Sequence, residues 1–168
     1  MCLGRNCPAM KARYFWPTLA GVYCLDFVTK RFAETHLLPE HVPHPIIGEL
    51  VRFTLAYNKD AAMGLSLGGY SRAGFAITAA VILVVLGVLY HRTAESDRFS
   101  ALALAMVAAG ALGNLTDRLM SSRGVVDFID VGIGSARFYT FNVADSAVTC
   151  GALLLVILSL RGSKQGGA

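Results

Sequence analysis

The chain has 168 residues, 55% of them hydrophobic and only 15% charged, with a net charge of +4 and a mean hydropathy of +0.55. A soluble domain of this size carries about 25% charged residues, so the composition argues against a soluble enzyme and for a single integral membrane domain spanning 1–168. Lys and Arg are scattered around apolar blocks and form no basic stripe, which argues against nucleic-acid binding and fits loops lying on anionic lipid.

A short basic leader with Arg5, Lys11 and Arg13 precedes an apolar segment at 14–28. That segment ends in Asp26-Phe27-Val28-Thr29-Lys30 and not in a small-residue cleavage site, so it reads as a first membrane span and not as a signal peptide. Residues 31–72 form a mixed connector broken by Pro39, Pro43 and Pro45. Within it Leu50 to Tyr57 alternates apolar and polar, a strand pattern, and Asn58-Lys59-Asp60 reads as a turn. These features predict a small β-structure lying near the membrane surface. Further spans follow at 73–90, 99–115 and 143–160, separated by a short polar loop at 91–98 and a second polar connector at 119–141.

The leader, the 91–98 loop and the tail share one side and carry Arg5, Lys11, Arg13, Arg92, Arg98, Arg161 and Lys164 within about 30 residues. This basic density predicts that both termini are cytoplasmic and that both long connectors lie outside. Cys24 and Cys150 fall in apolar stretches and read as small apolar residues, while Cys2 and Cys7 sit in the leader without CxxC spacing. His36, His41 and His44 cluster without metal-ligand spacing.

The informative residues are polar ones at the outer ends of the spans. Asp26 and Lys30 are four apart, in the favourable acid-before-base order on a helix. Asn114 shares a face with Asp117 and Arg118, and Asn142 shares one with Asp145. Each group has an ordinary structural reading, as an interfacial salt bridge, a helix terminus and an N-cap respectively. Asp145, however, sits three residues into an apolar span. A carboxylate costs roughly 2.5–3.5 kcal/mol at a helix centre and less near the end, so it needs a partner. Asp127 is the candidate, since the 119–141 connector begins and ends at the same membrane face. Two carboxylates held close cannot comfortably both ionise. The ionised member can act as general base on water, and the protonated member can hydrogen-bond the carbonyl under attack. This aspartic chemistry needs no metal or cofactor.

These blocks carry a resemblance. Gly110-Ala111-Leu112-Gly113-Asn114-Leu115-Thr116-Asp117-Arg118, Gly124-Val125-Val126-Asp127-Phe128 and Phe141-Asn142-Val143-Ala144-Asp145-Ser146 occur in the order found in bacterial lipoprotein signal peptidases, the type II signal peptidases. The Asp26–Lys30 block resembles that family's first-span ending. Asn58-Lys59-Asp60-Ala61-Ala62-Met63-Gly64 departs from it, with Asp60 where a glycine is usual and Met63 where an aromatic is usual.

The resemblance implies an all-α membrane fold: four transmembrane helices with a small extramembrane β-sheet and a periplasmic connector on the outer membrane face. It implies an aspartic endopeptidase of the bacterial inner membrane with Asp127 and Asp145 as the catalytic pair. Asn58, Asn114, Arg118 and Asn142 would support the pair or contact substrate, with Asp26, Lys30 and Asp117 behind them. The substrates would be prolipoproteins cut just before a diacylglyceryl-modified cysteine, membrane lipid would surround the enzyme, and globomycin-type peptides would be its inhibitors. The rival reading is a small proton-coupled transporter or channel subunit. It would need ionisable groups spread through the membrane depth, whereas here they gather at one face.

Overall fold

The structure, a computed structural model, describes residues 10–59 and 71–165. The Asp60 and Met63 departures, Cys2 and Cys7 lie outside the described residues. Among the described residues there are four helices: α1 (Met10–His36), α2 (Ser71–Arg92), α3 (Arg98–Met120) and α4 (Val143–Gln165). Three of them contain a stretch long and apolar enough to cross a membrane, at Ala73–Arg92, Arg98–Met120 and Val143–Arg161. Helix α1 is longer than the apolar segment that announces it. It carries Lys11, Arg13, Asp26, Lys30, Arg31 and Glu34 on one continuous helix with Pro17 inside.

Helix α3 is the hub, packing against α1, α2 and α4. Its buried side is made of small residues, including Ala101, Ala105, Ala108, Ala109 and Gly110, which let neighbouring backbones approach closely. At Gly110 a methyl group would run into the carbonyl oxygen of Ala144 and lie 2.7 Å from Val148 Cγ2. Helix α2 packs mainly against α3 and leaves Ile77, Val81, Val84 and Val85 exposed, as a helix facing lipid would. At the other end of α2, Lys11 closes the helix by donating to the carbonyls of Tyr90 (3.3 Å) and Thr93 (2.9 Å) while pairing with Glu95 (2.9 Å). A cation is favoured at a helix C-terminus.

The strand expected from residue 50 onward is β2 (Val51–Asn58). It lies in a four-stranded antiparallel sheet ordered β1-β2-β3-β4, with β1 at His44–Ile47, β3 at Val125–Ile133 and β4 at Ala136–Arg137. Residues 119–141 are therefore not a plain polar connector, since they contribute two of the four strands. The sequence Val125-Val126-Asp127-Phe128-Ile129 lacks strict apolar–polar alternation because both of its faces are covered, so a search for period-two patterning passes over it. On one face Val126 and Phe128 join Leu55 in packing against Ala33 of α1 and Leu37 just after it. The far end of the sheet is tied by Arg137, which donates to Asp130 Oδ1 (2.6 Å) and to the Glu49 carbonyl (3.0 Å). Burial pushes the Asp130 carboxyl up, but hydrogen bonds from Arg137 and Arg52 outweigh it and hold the group below the usual range.

The end of α3 also differs from expectation. Asn114, Asp117 and Arg118 do not terminate a span at residue 115; the helix carries them inside its last two turns and ends at Met120. Their polarity marks partners within the protein and not the end of the helix. The packing gives a paired test. Gly110→Ala should destabilise the detergent-solubilised protein by about 1–3 kcal/mol. Gly87→Ala on α2, where nothing lies within 4 Å of the added methyl, should leave its melting temperature unchanged or raised.

Candidate active site

Asp127 owes its position to strand alternation. With Val126 and Phe128 turned toward α1, Asp127 faces the opposite side of the sheet, where it is paired in register with Ala56. Gly124, just before β3, adopts a φ of +105° and lies against the backbone of Asn58, so this crossing of the chain requires glycine. After β3 and β4 the chain turns back. Phe141 exchanges backbone hydrogen bonds with Ile129, at 3.0 Å for its own N–H and 2.8 Å for its carbonyl. That return places Asn142 and the first turn of α4 beside Asp127.

Asn142, fully buried, caps α4. Its Oδ1 accepts from the Asp145 N–H at 2.9 Å, and Asp145 Oδ2 accepts from the Asn142 N–H at 3.2 Å. This is a reciprocal capping box with aspartate at its third helical position. Asn142 Nδ2 donates to Asp127 Oδ1 at 2.7 Å, so one residue is hydrogen-bonded to both carboxylates. The second oxygen of Asp145, Oδ1, accepts from Asn114 Nδ2 at 2.8 Å.

Asp127 is buried, and that burial, reinforced by the negative charge of Asp145, pushes its pKa up to about 7. Hydrogen bonds from Asn58 and Asn142 and the charge of Lys30 oppose the shift without cancelling it. Near neutral pH, then, this carboxyl spends much of its time protonated.

Behind the two acids lies a buried ionic cluster. Lys30 is 1% exposed, and its ammonium contacts Asp26 Oδ2 (2.8 Å), Asp117 Oδ2 (2.9 Å) and Asn114 Oδ1 (2.9 Å). Asp26 Oδ1 in turn accepts from the Ala144 N–H at 2.8 Å, and Asp117 Oδ2 from the Val126 N–H at 3.2 Å. The cluster therefore holds both the start of α4 and the strand that carries Asp127. Arg118 Nη1 donates to the Asn114 carbonyl at 3.2 Å, and its guanidinium sits over Phe75 of α2.

A cavity of about 730 Å³ is lined by Asp127, Asp145, Asn58, Asn114 and Arg118, with Val125, Val148 and the Phe138–Phe141 stretch among its walls. All nine residues singled out from the sequence thus belong to one connected site. Five line the cavity, while Asp26, Lys30, Asp117 and Asn142 stand behind it. Sequence reasoning missed Arg31, which donates to Asp117 Oδ1 at 3.1 Å and pairs with Glu34 at 2.5 Å. Its place beside Lys30 was the only signal. It also missed Phe138 and Tyr139, which reach the cavity from a loop without motif character.

Residues 18–161 match the family described as signal peptidase (SPase) II. The chain belongs to that family. The signal peptidase II assignment is supported by relatives named lipoprotein signal peptidase. The one from Pseudomonas paraeruginosa is 39% identical over 160 residues, covering 92% of each chain. That from Mycobacterium avium is 38% identical over 92% of this chain and 83% of its own, and that from Teredinibacter turnerae is 42% identical over 85% and 84%. A bacterial membrane enzyme solved by the in meso method at 2.3 Å resolution superimposes with a TM-score of 0.79 at 30% identity, covering 89% of this chain and 88% of its own. A second, at 1.9 Å resolution, gives a TM-score of 0.76 at 33% identity, covering 86% and 90%. Signal peptidase II enzymes are aspartic peptidases, and this chain is a membrane protease of that type.

Asn142 offers a direct test of the site's construction. Asn142→Ala removes the cap and the hydrogen bond to Asp127 together. Thermal unfolding should show a loss of about 1–2 kcal/mol, and peptidase activity should drop more than that loss of folded protein explains.

Proposed function

We propose that this protein removes the signal peptide from diacylglyceryl-modified prolipoproteins, with Asp127 and Asp145 as the water-activating pair. The reading is supported most by one observation: Asn142 is hydrogen-bonded to both carboxylates at the wall of a cavity large enough for a peptide segment. Asp127, raised to about 7 by burial, is the acid. It hydrogen-bonds the scissile carbonyl and stabilises the oxyanion as it forms. Asp145, whose two oxygens each accept an N–H, is the base that takes a proton from the attacking water. Collapse of the tetrahedral intermediate breaks the C–N bond, and a proton passes to the departing amine. No metal or cofactor enters these steps. Asn58, Asn114, Arg118 and Asn142 position the pair or the substrate, and Asp26, Lys30 and Asp117 hold them in place.

In this reading α1 is a fourth span, both termini are cytoplasmic and the protein forms a single domain over 1–168 in the bacterial inner membrane. The charges within α1 are tolerated because Asp26 and Lys30 are paired inside the protein and Lys11 sits at the opposite end. The sheet and the 119–141 segment lie on the outer face, where a lipid-anchored cysteine would present its scissile bond. Globomycin-type peptides would occupy the same cavity. The proton-path alternative finds less support, since the clustered acids lie together at one end of the bundle.

Two measurements test the assignment. Asp127→Asn and Asp145→Asn should each reduce cleavage of a diacylglyceryl-modified precursor by at least about 10³-fold; near-normal rates in both would refute the pair. The pH profile gives an independent check. Cleavage needs Asp127 protonated, so kcat/KM should decline as pH rises through about 7, and a profile flat from pH 6 to 9 would count against Asp127 as the acid.

A further inference from the structure

An ammonium group has three N–H donors and no acceptor. At Lys30 two contacts are ion pairs, with the carboxylates of Asp26 and Asp117, and the third is a hydrogen bond donated to the neutral side-chain oxygen of Asn114. Neutralising the two acids requires only the charge, and Asp117 already has Arg31 as a second cation. The third bond has a different consequence.

An amide side chain has two faces, and hydrogen-bond partners decide which way it lies. Because Lys30 can only donate, it demands the Asn114 oxygen. The Asn114 NH₂ group is then turned toward Asp145 Oδ1, 2.8 Å away. A flipped amide would set NH₂ against the ammonium and oxygen against the carboxylate, so both contacts would be lost at once. Asn142 Nδ2 also reaches Asn114 Oδ1, at 3.2 Å, but its two hydrogens are shared among three acceptors, and its shortest bond is the one to Asp127. Its hold on the amide is weaker than that of Lys30.

We infer that Lys30 is a positioning residue for the peptidase reaction, acting through Asn114 to keep an N–H donor on Asp145. This rests on the reading of Asp127 and Asp145 as the water-activating pair. Lys30 lies behind the cavity and touches no substrate. It sets the direction of a donor chain that runs from Lys30 to Asn114 and from Asn114 to Asp145. The charged groups around that chain, among the described residues, are Asp26 on α1, Asp117 and Arg118 on α3, and Asp127 on β3, with Arg31 beyond Asp117.

The test uses the full-length enzyme and a synthetic diacylglyceryl-modified precursor peptide. In Lys30→Met the amide is no longer locked. The expected result is a fall in kcat on the order of 10- to 100-fold, an unchanged KM, and an acid limb of the kcat/KM profile moved up by about one pH unit. Lys30→Arg keeps a donor for Asn114 and should leave the limb in place. Because Lys30→Met alone leaves two buried carboxylates facing one cation, the charge-balanced Asp26→Asn/Lys30→Met variant is measured beside it and should give the same profile. A folded variant of either kind with wild-type limbs and wild-type kcat would overturn the inference and leave Lys30 as an ion-pair core residue. A profile moved equally in Lys30→Arg would also overturn it. Near-normal cleavage by Asp127→Asn and Asp145→Asn, in contrast, would remove the pair itself.

Discussion

The rest of the site depends on the burial of one ammonium group. Lys30 is almost completely enclosed, and a charge in that position is tolerated only if it is paired and every donor is used. Its two carboxylate partners each have a second task. Asp26 holds a backbone N–H at the start of α4, and Asp117 holds one at the start of β3. The same cluster that satisfies Lys30 therefore fixes the two chain segments bearing Asp127 and Asp145. Removing one member of a buried pair typically costs about 3–5 kcal/mol, because the other is left uncompensated. That is several times the roughly 1 kcal/mol of a single neutral hydrogen bond. The network is therefore a stiffer support for the two carboxylates than Asn142 alone would be.

The arrangement also gives the two aspartates different surroundings. Asp127 sits on a strand with one face against α1 and the other against the cavity wall, so burial dominates its environment. Asp145 sits in the first turn of a helix, where N–H groups are available to accept into. The same side chain thus stands in two unlike backbone settings, and it is Asp127, on the strand, whose carboxyl is pushed up to about 7. The small residues of α3 contribute indirectly. By letting α4 approach closely at Gly110, they bring Asn114 within reach of Asp145.

Much of this was legible in the sequence where a single physical signal stood alone. Helices α2, α3 and α4 are long apolar runs, and each starts within two residues of expectation. The strand at Val51–Asn58 alternates because Phe53, Leu55 and Tyr57 pack into the apolar cluster with Ala33 and Leu37, while Arg52 and Thr54 donate to Asp130. All nine expected site residues proved to be connected, because polar residues at the ends of apolar runs need partners. Where two signals conflicted, the reading failed. Asn114, Asp117 and Arg118 left a helix terminus and a hydrogen-bonded supporting cluster equally open, and the span expected to stop at residue 115 continues as helix to Met120. The unbroken apolar run of β3 hid a strand within a supposed connector.

The sequence by itself determined that this is a membrane protein with costly polar residues grouped at one end of its spans, because hydropathy and helical spacing are local properties. Only the tertiary structure decided how those residues are joined. Asp127 and Asp145 are 18 positions apart in the chain and meet through Asn142 because Phe141 returns to pair with Ile129. Lys30 reaches Asn114 across 84 positions. Such contacts depend on which chain segments pack against one another, and no periodicity within any one of them encodes that.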